Sequence, residues 1–573
     1  MYTLKSQHEG NMRRFTIRLF TVCLLLAAIL LAGCTGKEAV KAENEPFMGM
    51  TEIPSPAPIA YEMDVYRQKS ATMATAMRMP MVQHQPASPA DFNTEGYDRV
   101  NENGFLETLK NPLSTFSIDV DTASYTNVRR FINDGRLPPP DAVRIEEMIN
   151  YFTYDYPPPS GEAPFSLTTE VMDAPWKSGN RLLLVGLQGV RIPVDKLPPA
   201  NLVFLIDVSG SMNEENKLPL LIKSFKLLVG QLRPQDRVAI VVYAGQAGLV
   251  LPSTSGSEKH KILAALDSLQ AGGSTAGGQG IQLAYQVARE NYLKDGNNRV
   301  ILATDGDFNV GASSDADMER LIEERRKDGV FLSVLGYGMG NYKDSKMQKL
   351  ADRGNGNYAY IDTLLEAKKV LLSQFGGTMM TIAKDVKMQV EFNPAKVKSY
   401  RLIGYEKRML KAEDFADDKK DAGELGSGHT VTALYEIVPA EEAAADRQEL
   451  TYQTTQVKES ALASAELATI RLRYKKPQEE TSTELIRKIP AVAESLNKAS
   501  GNISFAAAVA EWGTVLRNSE YKGSATYGQI LDLARKAKGA DAEGYRAEFI
   551  RLVEMAELID ARTHTPPVTP EAR

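Results

Sequence analysis

The sequence predicts an α/β protein: a doubly wound, mostly parallel sheet inserted in a split antiparallel β-sandwich, with a C-terminal helical region. Three observations carry this. Across residues 200–378, short apolar runs alternate with amphipathic helical patterns. On either side of that block, segments alternate apolar and polar residues with period two, before residue 190 and again after residue 377. From Ile503 to Ile559 the apolar spacing is helical.

The chain opens with Met12-Arg-Arg14 and Arg18, followed by an apolar stretch from Leu19 to Leu31 that is too short for a comfortable transmembrane helix. Leu31-Ala-Gly-Cys34 resembles a bacterial lipobox, where cleavage precedes the cysteine and its sulfur is lipidated. Residues 1–33 are therefore expected to be a lipoprotein signal peptide, with Cys34 the lipidation site. The two cysteines are Cys23 and Cys34, so the mature chain would keep no thiol for disulfides, thiol catalysis or zinc. The expected location is the cell envelope, membrane-attached through lipid at Cys34. Thr35, being no aspartate, fits the periplasmic face of the outer membrane if the cell is Gram-negative. Residues 34–104 read as a disordered tether broken by Pro54, Pro56, Pro58, Pro80, Pro86 and Pro89, with few large aliphatics to offset ordering entropy.

Residues 105–160 are expected to form a compact N-terminal segment containing Phe116-Ser-Ile-Asp-Val-Asp-Thr-Ala-Ser-Tyr125, a short helix near Val143 to Met148, and a closing Pro157-Pro-Pro159. Residues 161–199 hold the first part of the sandwich, with strands near Phe165–Val171 and Arg181–Leu187. Within 200–378, Leu202–Ile206, Val238–Tyr243, Val300–Leu302 and Val330–Leu335 suit strands buried on both faces. Helices fit the spacings of Leu220, Leu221, Ser224, Phe225 and Leu228, of Ile281, Ala284, Tyr285 and Ala288, and of Met318, Leu321 and Ile322. Residues 379–480 complete the sandwich, 490–562 are helical with Phe505, Val509, Trp512 and Leu516 on one face, and 563–573 form a tail.

Five oxygen-bearing residues fall where strands give way to loops or a glycine loop gives way to a helix: Asp207, Ser209, Ser211, Thr275 and Asp305. Ligands of open α/β sheets gather at such strand ends. Carboxylate and hydroxyl oxygens are hard ligands, which favours Mg²⁺ first, with Mn²⁺ or Ca²⁺ as alternatives, over zinc or copper. Alternate residues in Asp-x-Ser-x-Ser let three oxygens converge on one ion.

Asp207-Val-Ser-Gly-Ser211, Thr275 and Thr304-Asp-Gly306 resemble the metal-ion-dependent adhesion site (MIDAS) of a von Willebrand factor type A domain, which has a Rossmann-like sheet. The resemblance covers roughly residues 201–378, and the wider arrangement is similar to bacterial von Willebrand A lipoproteins. It implies a divalent cation held by these five residues, and a protein partner whose acidic residue completes the coordination. Specificity is then expected from loops such as 245–257 and 341–346.

Other chemistry is weakly supported. With a net charge of -6 and no basic block, nucleic acid is not an expected partner. The five histidines, His8, His84, His260, His429 and His564, form no triad or metal spacing, and no small-molecule substrate is indicated. Gly272–Gly278 lacks the lysine of a phosphate loop. The run after Asp305 has Val310 and Ala316 where an EF-hand needs glycine and glutamate; Asp307 and Asn309 are read as rim residues. The expectation is a binding protein, not an enzyme. The rivals are a scaffold of an envelope complex with a purely stabilising metal, and a phosphoesterase built on Asp119 and Asp121.

Overall fold

The computed structural model describes residues 95–274, 277–306, 308, 315–374, 376–377, 380–440 and 456–564. The signal peptide, Cys34, most of the expected tether, Thr275, Asp307, Asn309 and most of the tail lie outside the described residues.

The central sheet has six strands in the order Tyr358–Ile361, Val330–Tyr337, Asn297–Thr304, Ala200–Asp207, Arg237–Tyr243, Ala247–Ser255. Adjacent pairs among the first five are parallel, and the last strand is antiparallel. Successive residues of Ala200–Asp207 enter opposite cores. Leu202, Phe204 and Ile206 pack with helices Leu218–Gln231 and Lys259–Asp267. Val203 and Leu205 pack with Gly277–Glu290, Asp315–Lys327 and Asp344–Arg353. A strand covered on both faces needs the unbroken apolar run seen here. Ala200–Asp207 has Arg237–Tyr243 on one side and Asn297–Thr304 on the other. It is thus the point where strand order reverses, beyond whose carboxyl end such sheets hold their ligands.

The flanking strands form two antiparallel sheets. One has the order Leu106–Glu107, Val397–Ile403, Thr430–Pro439, Arg181–Gly189, Phe165–Asp173. The other has the order Met409–Leu410, Leu113–Ser117, Thr381–Phe392, Glu466–Lys475, Thr483–Pro490. Leu183, Val185 and Leu187 of the first meet Met388, Val390 and Phe392 of the second in one core. Strands from before and after the parallel sheet therefore share partners, as the period-two segments require. Leu182 and Leu184 point the other way, into a third layer that includes helices Ile145–Asn150, Gly501–Leu516, Tyr527–Lys536 and Tyr545–His564.

Four expectations are corrected. Residues 95–104, read as the end of the disordered tether, are held to the folded part, the Gly96 amide donating to Tyr342 O at 3.0 Å and Glu95 pairing with Arg130. Residues 563 and 564, read as tail, end the helix Tyr545–His564. Residues 245–257, read as a specificity loop, contain the edge strand Ala247–Ser255. The segment 105–160 is also part of the sandwich itself, since Leu113–Ser117 pairs with Thr381–Phe392, Phe116 opposite Met388. Among the described residues no helix is long and apolar enough to cross a membrane.

Candidate metal centre

Asp207 ends the switch-point strand and is fully buried. Four hydrogen bonds fix its carboxylate. The Ser209 amide and Oγ donate to Oδ1 at 2.9 and 2.6 Å. The Tyr243 hydroxyl and Thr304 Oγ1 donate to Oδ2 at 3.1 and 3.0 Å. Tyr243 arrives because it lies opposite Asp207 in the neighbouring parallel strand. Thr304 arrives as the last residue of the strand on the other side.

The turn after Asp207 places Ser209 Oγ 3.1 Å from Ser211 Oγ. Ser209 precedes a short 3-10 turn, Gly210–Asn213. The glycine loop before Thr275 is stitched to this turn, the Gly210 amide donating to Gly273 O at 3.0 Å and the Gly272 amide to Val208 O at 2.8 Å.

Asp305, also fully buried, follows the strand Asn297–Thr304. Its Oδ2 accepts from Lys217 Nζ at 3.2 Å and from Asn341 Nδ2 at 3.1 Å. Two glycines make these approaches possible. Gly306 has φ +96°, and a Cβ there would fall 2.6 Å from the Lys343 amide nitrogen. Gly338 has φ +73°, and a Cβ there would fall 2.4 Å from Lys217 Cε. Both positions favour glycine on backbone conformation alone.

Burial pushes the Asp207 carboxyl up to about 6; the Ser209 hydrogen bonds pull it back and the charge of Asp305 adds to the rise. Burial, with the neighbouring Asp207 charge, holds the Tyr243 hydroxyl well above its usual range, so it stays a donor.

The structure thus joins Asp207, Ser209 and Ser211 through direct hydrogen bonds, and places Asp305 near enough for its charge to act on Asp207. Thr275 lies outside the described residues. Thr304 and Asn341 were marked only as part of the Thr304-Asp-Gly306 motif and of the loop 341–346, not as hydrogen-bond partners of the two carboxylates. Tyr243 had a usable signal as a polar residue ending a buried strand. Lys217 had none, since its partner is remote in sequence.

Asp119 and Asp121 are occupied elsewhere. Both pair with Arg408, at 3.3 and 3.4 Å, and Asp121 Oδ1 accepts from the Tyr358 amide at 2.8 Å. They tie the N-terminal segment to the edge of the central sheet.

Comparison with known proteins gives three family matches along the chain. A family model described as "von Willebrand factor type A domain" matches residues 201–374. One described as "von Willebrand factor" matches residues 91–184. One described as "Uncharacterized protein YfbK, C-terminal" matches residues 377–559. The chain is 45% identical over 508 residues to the "Uncharacterized protein YfbK" of Escherichia coli (strain K12), covering 87% of this chain and 88% of that one. It is 29% identical over 206 residues to a "UPF0353 protein" of Mycolicibacterium paratuberculosis, covering 32% of this chain and 60% of the relative. A solved "von Willebrand factor type A from Catenulispora acidiphila" is similar at 17% identity and a TM-score of 0.39, covering 68% of this chain and 89% of that one.

Proposed function

This chain belongs to the YfbK family and carries a von Willebrand factor type A domain, and we propose that it is a lipid-anchored envelope protein that grips an acidic residue of a partner protein through a divalent cation. A von Willebrand A domain is an interaction module, and none of the three matching family models describes an enzyme. The cation, Mg²⁺ in the first instance, would be held by Asp207, Ser209, Ser211, Thr275 and Asp305.

One observation carries the reading. Two fully buried carboxylates, Asp207 and Asp305, sit at the ends of adjacent parallel strands beside the Ser209 and Ser211 hydroxyls. Buried carboxylates call for positive charge. Lys217 supplies one unit of it at Asp305. A divalent ion would bring the local sum to about plus one. When bound, the ion supplies a coordination position for an outside oxygen, and that residual charge favours an anionic one. The chain's own residues orient the ligands: Tyr243, Thr304 and Ser209 fix the Asp207 carboxylate, while Lys217 and Asn341 fix Asp305. Such preorganisation limits the ordering required when an ion enters.

The anchor belongs to the same proposal. It rests on the apolar run Leu19–Leu31 followed by Leu31-Ala-Gly-Cys34.

Titration calorimetry with Mg²⁺ and Mn²⁺ tests the site. Asp207→Ala is expected to abolish cation binding, and unchanged affinity in that variant refutes the assignment. A pull-down from detergent-solubilised envelopes, with and without chelator, tests the partner: capture that survives chelation rules against a metal-dependent grip.

A further inference from the structure

A cavity lies at the other end of the central sheet. It has a volume of about 440 Å³ and opens between the α/β unit and the sandwich. Its walls include Arg299 at the start of the strand Asn297–Thr304, the turn Asn355–Asn357, Arg408, and Glu424 of the short strand Gly423–Gly426. Arg299 precedes Thr304 by five residues, so it lies roughly 17 Å from the candidate metal centre along the strand.

The lining is cationic, with seven lysine or arginine side chains against four aspartate or glutamate side chains. Several are matched internally. Arg326 pairs with Asp421 at 2.6 Å, and Arg408 pairs with Asp352 at 3.0 Å as well as with Asp119. Arg299 is different. It is only 3% exposed, and Nη1 donates to Ser333 Oγ at 2.7 Å. Its Nε has no hydrogen-bond partner, and no carboxylate among the described residues lies within ion-pair distance of it. A buried guanidinium ordinarily has a carboxylate beside it.

Glu424 acts on Arg299 by charge but forms no ion pair with it. Its Oε1 accepts from Asn355 Nδ2 at 3.3 Å, and desolvation, helped by Asp385, pushes its carboxyl up to about 8. Burial lowers Arg299 only to about 10, with Glu424 holding it up, so its charge persists at neutral pH. The cavity therefore presents a fork-shaped cation, with Nε unbonded and no ion pair among the described residues, in a pocket of small-molecule size.

We propose that this cavity binds a small oxyanion, a carboxylate or phosphate compound, held by the Arg299 guanidinium. Because its walls come from both the α/β unit and the sandwich, an occupant would clamp the two together. The site does not depend on the cation-binding reading.

Thermal unfolding of the full chain in detergent tests this, with inorganic phosphate and succinate as probes and sodium chloride at matched ionic strength as control. The wild-type midpoint is expected to rise with at least one oxyanion, and the one that acts names the class. Arg299→Met is expected to be more stable than wild type in chloride, since a buried unpaired charge is gone, and to ignore both probes. Arg299→Lys keeps the charge without the fork, and should bind the active probe roughly tenfold more weakly, the loss of about one charge-assisted hydrogen bond. The proposal falls if neither oxyanion shifts the wild type at millimolar concentration. It falls equally if Arg299→Met responds like wild type, or if that variant is less stable than wild type in chloride, which would make Arg299 a structural bond to Ser333.

Discussion

Replacing Glu511 by methionine should stabilise this protein, increasingly so as pH rises. Glu511 sits on Gly501–Leu516, fully buried, in the core that also holds Phe505, Val509 and Trp512. Neither carboxyl oxygen has a hydrogen-bond partner among the described residues. Burial pushes the group from 4.5 up to about 8; the Thr526 backbone amide pulls slightly the other way without closing a hydrogen bond, and no charged side chain acts on it. The sign follows from linkage. The folded state holds the proton more tightly than the unfolded chain, so stability is full below pH 4.5 and is lost as pH rises toward 8. Each pH unit in that window is worth about 1.4 kcal/mol, so by pH 7 the loss is about 3 kcal/mol. Methionine fills a similar volume with no charge to desolvate. The chain has two tryptophans, Trp176 and Trp512, and both lie in this core, so intrinsic fluorescence reports its unfolding. The gap between the two urea midpoints should therefore widen by roughly 0.5–1 M from pH 4.5 to pH 7, as the charge adds about 3 kcal/mol. Wild-type and Glu511→Met midpoints that run parallel across this range would refute the reasoning, as would a variant less stable than wild type at pH 7.

Three further outcomes are expected. Removing divalent cations with a chelator should lower stability by about 3 kcal/mol relative to protein held at a hundredfold excess over the dissociation constant, measured by thermal unfolding, and Asp207→Ala should show no such response. Cys34→Ala should lose metabolic labelling by an alkyne palmitate analogue and leave the membrane fraction; retained labelling would dismiss the anchor. Arg144→Ala should destabilise by about 3–5 kcal/mol in urea unfolding, because it strips a buried cation from two buried carboxylates. Arg144 contacts Glu147 at 2.5 Å and Asp344 at 2.6 Å, joining the N-terminal segment to the α/β unit.

The sequence makes the buried strands legible because burial on both faces demands uninterrupted apolar runs, and the polar residues ending Leu202–Ile206 and Val300–Leu302 mark the site end of the sheet. Edge strands carry no such demand. Ala247–Ser255 exposes Leu249 and Val250, contains Pro252 and follows Gly245, so it reads as a loop until its pairing with Arg237–Tyr243 is seen. Thr483–Pro490 is mostly exposed along the outer side of Glu466–Lys475, and escapes for the same reason. The helical C-terminal region is legible from its spacing. Its division into three helices rests on turns such as that at Asn518, φ +51°, and Gly523, φ +53°, whose geometry a periodic pattern does not carry. Lys217 at Asp305 and Arg299 in the cavity are further from reach, since partnership or its lack depends on residues 88 and 34 positions away.

The loop that serves Asp305 also binds the start of the N-terminal segment. Asn341 donates to Asp305, the adjoining Gly340 amide donates to Glu95 Oε1 at 2.9 Å, and the Gly96 amide donates to Tyr342 O at 3.0 Å. Glu95 is in turn clamped by Arg130 through contacts of 3.0 and 2.9 Å, and that pair is nearly buried, at 4% and 7% exposure. Just beyond the loop, Asp344 accepts from Arg144. Breaking a buried ion pair costs about 3–5 kcal/mol, several times the value of an exposed one. The loop is therefore tied on one side to the Glu95–Arg130 pair and on the other, through Asp344, to Arg144. A shift of Asp305 that carries Asn341 with it therefore loads the Gly340–Glu95 hydrogen bond and, through Arg130, helix Ala123–Asn133. The N-terminal segment is consequently part of the frame that fixes the geometry of the candidate metal centre, and this gives a physical reason for residues 91–184 to accompany the von Willebrand A domain in one chain.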